Sequence, residues 1–171
     1  MYQNKKMNAK EFIQKELIDG IGKIVDDCPY IAFFAMAAGI EFLGKCQCVQ
    51  DRWNLNGNSE NYFNKGLELF PTHYQNIDLF HSLRCGLLHC CLPENQIALS
   101  CEGNSFRKEI IYGEERTIIE CNQMYNDFCN ACKSIIDDNT AFVQKTEQPF
   151  YTIVDNSTTA STQTYLVVQN K

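Results

Sequence analysis

The chain has no surplus of positive charge. Its 171 residues carry 15 Lys and Arg against 21 Asp and Glu, a formal net charge of −6. Proteins that coat nucleic acid neutralise phosphates and release their counterions, which takes a basic excess. Broad coating is therefore excluded, and a nucleic-acid role needs a local basic site in a cleft or across a subunit interface. Long apolar runs are missing too. The longest, Tyr30 to Ile40, stops at Glu41 after 11 residues. That is too short to cross a bilayer as a helix, so a buried core helix is expected. Residues Met1 to Lys10 are polar, so no secretory signal is expected. The expected location is cytoplasmic, with no membrane partner. No self-similar period is present, which argues against a solenoid or propeller. Gly20-Ile21-Gly22 is no phosphate loop, because it lies in a helical pattern without the lysine and strand context.

Cysteine, by contrast, is abundant: Cys28, Cys46, Cys48, Cys85, Cys90, Cys91, Cys101, Cys121, Cys129 and Cys132. Without a signal sequence these read as reduced thiols rather than a disulfide framework. Cys46-x-Cys48 and Cys129-x-x-Cys132 invite a zinc reading, but structural zinc takes four ligands, usually from two knuckles in tight turns. Cys129-x-x-Cys132 lies in a strongly helical stretch, and there is no second such knuckle. Small buried thiols are expected instead, with neither metal nor cofactor. An apolar fraction of 44% and a charged fraction of 21% are those of a globular chain. The length suits one domain, 1–171.

Hydrophobic periodicity predicts a mainly α protein, a four-to-five-helix bundle with one or two small β-hairpins. Asn8 and Glu11 form a capping-box pattern that opens a helix carrying Phe12, Ile13, Leu17, Ile21, Ile24 and Val25. Pro29 suits the first turn of a second helix, apolar nearly all round and so central. After a polar loop, in which Trp53 is expected to tuck onto the core, Ser59 caps a short helix ended by Pro71. Thr72 caps the next, which Pro93 closes. Ile97, Leu99 and Cys101 alternate, and with Glu109–Tyr112 they predict a hairpin near 97–112. A long helix is expected from Thr117 to about Asp137. The tail 139–171 is polar, with a possible second hairpin from Phe150–Val154 and Tyr165–Val168.

The stretch that suggests chemistry is Arg84-Cys85-Gly86-Leu87-Leu88-His89. On an α-helix, at about 100° per residue, Arg84 and His89 stand roughly 140° apart and flank a surface holding His81, Cys85 and Leu88. His89 sits about one turn before Pro93, where the helix dipole favours imidazolium. An imidazole that exchanges a proton beside a permanent cation suits a phosphodiester: His as general acid or base, Arg on the growing phosphate charge. The plainer alternative makes Arg84 a salt-bridge partner and His89 a helix cap. Glu41 interrupts an apolar helix and needs a partner if buried, Arg84 or a hydroxyl. His81, Cys85 and Glu41 are the further candidates to line the cleft. His73, near a helix start, is expected to face solvent.

This run resembles the signature of HEPN domains, an Arg, four to six residues and then a His late in a helical bundle. The surroundings agree: Ile31 to Gly44 is similar to the central helix of bacterial members, and Tyr62 to Pro71 followed by Leu79 to Arg84 to the approach to the motif. The resemblance covers roughly residues 10–137. It implies a homodimer that brings two Arg/His pairs into one cleft. In active members that cleft cleaves RNA without metal, the ribose 2′-hydroxyl attacking the adjacent phosphate. Such proteins serve as toxins held by a cognate antitoxin, or in defence against phage. Carried over, Arg84 and His89 are the catalytic candidates, and pairing them across a dimer would build the basic site that the acidic chain otherwise lacks. Cys85 departs from the pattern, since active members place a polar residue after the Arg. The other implied reading is a catalytically silent HEPN-like module that binds a protein or nucleotide.

Overall fold

The computed structural model describes residues 8–48, 58–94 and 96–138. Trp53 and the possible hairpin of the tail lie outside the described residues. Among the described residues the protein is mainly helical with one small three-stranded sheet. Helix α1 (Ala9–Phe12) opens on the expected capping box: Asn8 Oδ1 accepts from the Glu11 amide at 2.8 Å, and the Asn8 amide donates to Glu11 Oε2 at 3.3 Å. It runs on as a wider π-type helix over Ile13–Gly20. Ile13 and Leu17 are buried there, and Ile21 and Val25 continue the apolar face into the following turn.

Helix α2 (Pro29–Gln47) is central, with proline in its first turn as expected. At 19 residues it is longer than the apolar run alone suggested, and it matches a membrane span in length and composition. Much of it is buried against the rest of the chain, including Phe33, Met36, Ala37, Ile40 and Leu43.

Helix α3 (Ser59–Leu67) crosses α2 at a contact made by two glycines. A Cβ on Gly44 would collide with the Tyr62 carbonyl, and one on Gly66 with the Ile40 carbonyl. Only hydrogen at both positions lets the backbones approach this closely. Ser59 is the first helical residue rather than the cap, which falls at Asn58.

The next segment is not one helix from Thr72. A 3₁₀ turn (Thr72–Asn76) is followed by an extended Ile77, and a separate helix occupies Phe80–Cys90, here termed the motif helix. Asp78 divides them, because its carboxylate accepts the His81 amide at 3.1 Å and so starts a new helix.

The β excursion is larger than expected and differently paired. Strand β1 (Ile97–Ser100) pairs in parallel with β3 (Glu114–Glu120), and β2 (Lys108–Ile111) pairs antiparallel with β3, giving the order β1-β3-β2. The hairpin is thus β2–β3, turning through Tyr112 (φ 52°) and Gly113 (φ 83°). Two positive φ values in a two-residue loop match the twist of the flanking strands. Thr117 to Glu120, expected to be helical, belongs to β3. Ile118 and Ile119 are β-branched and buried in the sheet, which the helical period misread.

Helix α4 (Cys121–Asp137) then starts at Glu120, whose buried carboxylate accepts from the amides of Asn122 (3.0 Å) and Gln123 (2.7 Å). An anion at this end also meets the positive pole of the helix. Met124, Phe128, Cys132 and Ile135 face the core, which is continuous through all the helices.

Candidate functional site

The motif helix is built by Leu79, Leu83 and Leu87, which recur every fourth residue and are all buried, with Ser82 and Gly86 beside them. Its winding is π-type rather than α. Bonding from i to i+5 brings residues five apart towards one face. Arg84 and His89 therefore stand closer in azimuth than the separation expected for an α-helix, and Cys85 and Cys90 form a second such pair.

Arg84 is anchored. Its Nε donates to Glu41 Oε2 at 3.0 Å, and Nη2 lies 2.9 Å from the same oxygen. The two side chains are 16% and 18% exposed, so the pair is largely withdrawn from water. Phe80, one turn earlier, places its ring 5.5 Å from the guanidinium carbon, and Phe63 of α3 stacks edge-on against Phe80 at 5.8 Å. The cation is thus held between a carboxylate on α2 and an aromatic face, an arrangement that favours guanidinium over ammonium. The Glu41–Arg84 partnership was legible as one of two options for a charge inside an apolar helix. Phe80 was not singled out, although its four-residue spacing from Arg84 carried the signal.

His89 is exposed in the last turn and has no hydrogen bond or ion pair among the described residues. Beyond it the helix closes at Cys91, which adopts the left-handed conformation (φ 56°) usually left to glycine. The Cys91 amide donates to the Leu87 carbonyl at 3.0 Å and the Leu92 amide to that of Gly86 at 3.2 Å. The chain then folds back, and the Glu94 amide donates to the Ser82 carbonyl at 2.8 Å. Gly86 permits this return, since a Cβ there would strike the Leu92 carbonyl and Pro93. A backbone therefore approaches Gly86 closely, and it is the helix's own exit. Tyr30, at the start of α2, donates its hydroxyl to the Cys91 carbonyl. Leu88 (40% exposed) and Leu92 (64%) flank the exposed His89-Cys90-Cys91 run, and Ile31 (55%) follows Tyr30.

His81 is exposed and bound to Asp78, with Nδ1 2.8 Å from Oδ2. That hydrogen bond, with the Asp78 charge, raises its pKa, and Glu60 and Glu94 add to the effect. An open groove of about 490 Å³ beside it is lined by Glu60, Asn64, Glu68, Gln75, Asn76 and Asp78. This side of the motif helix is acidic and ill-suited to phosphate. Cys85 is half-buried. His73 does not face solvent as expected: its ring lies 4.0 Å from that of Phe106 and 4.8 Å from that of Tyr74, with Nε2 buried and unbonded.

Cys129 and Cys132 are buried in α4, and burial pushes both thiols up, holding them protonated. Among the described residues no group of three or more His, Cys, Asp or Glu is placed to hold a metal ion. The site therefore brings together Arg84, Glu41 and Phe80 at its base and leaves His89 at its open end, with His81 turned to the acidic side.

Comparison of this chain with protein-family models, with curated proteins and with solved structures returns no match.

Proposed function

We propose that the chain is an HEPN-like, metal-independent endoribonuclease that works in the cytosol as a homodimer, of the toxin or phage-defence type, with a cognate antitoxin as partner. One observation carries this reading: Arg84 and His89 stand five apart on a π-wound helix, where that spacing falls nearer one face than in an α-helix, with the guanidinium held by Glu41 and the imidazole without a partner among the described residues. Glu41 takes Nε and Nη2, while Nη1 has no hydrogen bond among the described residues and remains available to a phosphate oxygen. Pre-orientation of that kind is what charge stabilisation in a transition state needs.

In this mechanism His89 removes the proton of the ribose 2′-hydroxyl as it attacks phosphorus. The imidazole of the second copy protonates the departing 5′-oxygen, and both Arg84 side chains face the phosphate. The products are a 2′,3′-cyclic phosphate and a 5′-hydroxyl. A second copy is required because one imidazole cannot both take the 2′-hydroxyl proton and protonate the 5′-oxygen that departs on the opposite side of phosphorus. The apolar side chains of Leu88, Leu92 and Ile31, exposed near His89, supply surface for that contact.

A catalytically silent HEPN-like module, binding a protein or nucleotide through the same face, is favoured by one feature: the Arg84–Glu41 pair is neutral as it stands. Structured RNA incubated with the protein under chelator separates the two. The nuclease reading expects cyclic-phosphate ends from wild type and none from Arg84→Ala or His89→Ala. RNA left equally intact by all three would establish the silent module.

A further inference from the structure

Five consecutive residues, Leu88-His89-Cys90-Cys91-Leu92, are exposed at the end of the motif helix. Among the described residues Cys28, Cys90, Cys91 and Cys101 are the exposed thiols, so two of the four sit together here, next to His89. Neither sulfur makes a hydrogen bond among the described residues. Their position is fixed on both sides. The left-handed Cys91 closes the helix with amide bonds to Gly86 and Leu87, and the Tyr30 hydroxyl holds its carbonyl.

The two thiols are poorly placed to bridge one another. Adjacent Cα atoms stand about 3.8 Å apart, below the roughly 4.4 Å at which ordinary disulfides begin. A rigid pair of accessible thiols that cannot close on itself is free to react with a thiol from outside. Beside it lie the leucines Leu88 and Leu92, an apolar surface suited to another protein surface rather than to water. In a symmetric pair whose two-fold axis passes through this patch, each thiol pair faces its counterpart.

We propose that Cys90 and Cys91 form a redox-sensitive knuckle at which hydrogen peroxide joins two copies of the chain by a disulfide beside His89. One thiolate attacks the peroxide, breaking the O–O bond; it becomes a sulfenic acid and the peroxide is reduced to water. A thiol of the second copy then attacks that sulfur, forming the S–S bond and releasing a second water. Two electrons leave the sulfur pair and both thiol protons end in water. The link would hold the dimer closed over the Arg84/His89 face and exclude RNA until a thiol reductant opens it. The inference rests on the dimer proposed above, but its readout does not depend on cleavage.

The test treats an equal mixture of unlabelled and ¹⁵N-labelled full chain with hydrogen peroxide, followed by non-reducing electrophoresis and peptide mapping. The expected result is a covalent dimer, reversed by dithiothreitol, whose mixed-isotope bridge joins peptides holding Cys90 and Cys91. Cys90→Ser/Cys91→Ser loses it, while Cys28→Ser and Cys101→Ser keep it. Circular dichroism shows that the double variant is folded. A bridge to Cys85 within one chain, linkage through Cys28 or Cys101, or oxidation of Cys90 and Cys91 without cross-linking each overturns the knuckle. RNA cleavage by reduced protein without any cross-link defeats the knuckle and keeps the nuclease. A cross-link at Cys90 and Cys91 in a protein that never cleaves RNA does the reverse.

Discussion

The two ends of the motif helix are solved differently. At its start every charge has a partner: Asp78 takes the His81 amide and imidazole, and Glu41 takes Arg84 over the ring of Phe80. At its finish the backbone is closed by Cys91, yet the side chains of His89, Cys90, Leu88 and Leu92 face outward. Near its start lies the α2–α3 crossing, where Gly44 and Gly66 leave no free space. Rigid backbone with outward-facing chemistry is what a reactive site needs, because orientation must be established before substrate arrives. The satisfied end holds the Arg84 guanidinium in one position, and the open end leaves His89 free to react.

The contrast breaks most severely at the crossing. Gly44→Ala drives a methyl into the Tyr62 carbonyl, which backbone cannot yield cheaply. Overpacking of this kind costs about 1–3 kcal/mol and sometimes more, so urea unfolding should show a lowered midpoint, and an unchanged midpoint would mean that the helices separate freely. Less costly is loss of the anchor. The double-mutant cycle of Glu41→Gln and Arg84→Met should give a coupling of roughly 1–3 kcal/mol, as for hydrogen bonds to charged groups, and weak salt dependence, because the pair is mostly out of solvent. A coupling near zero would make Arg84 a free surface cation.

Smaller effects sharpen the distinction. Cys91→Gly removes the steric cost of the left-handed residue, about 1–2 kcal/mol, and adds unfolded-state freedom worth roughly 0.5–1 kcal/mol. A net gain of up to about 1 kcal/mol in chemical denaturation is expected, and a loss would mean that the Cys91 side chain contributes packing the backbone account omits. Smallest of all is the pH response of His81. Asp78 raises its folded-state pKa above the ordinary value of 6.5. Its contribution is therefore complete below that ordinary value and fades as pH rises through the folded-state value. His81→Gln should flatten this part of the stability–pH profile, and an unaltered slope would assign it to another group.

Much of this was legible from sequence where local chemistry is decisive. Asn8 with Glu11, Pro29 at a first turn, and the apolar breadth of α2 each point to one structure. Glu41 was readable as a charge in search of a cation. What escaped depends on competition between close alternatives. Thr117-Ile118-Ile119 fits a helical period as well as a strand, and only pairing with β1 and β2 on either side decides for the sheet. Tyr112-Gly113 lacks the Asn or Asp that usually marks such a turn. The π-type winding of the motif helix has no side-chain code, so the azimuth of His89 relative to Arg84 was set for the wrong helix. His73 was misplaced because its aromatic partner Phe106 lies far along the chain.

The central claim is that Arg84 and His89 of two copies form one working cleft. Its most direct test mixes the separately inactive Arg84→Ala and His89→Ala chains, lets them exchange partners under reducing conditions, and measures cleavage of RNA in chelator. A mixed dimer keeps one imidazole as base and one guanidinium in the shared cleft and loses the general acid, so partial cleavage, above that of either variant alone and below wild type, is the predicted result. Mixed chains that stay as inert as their parents, beside an active wild type, would contradict it.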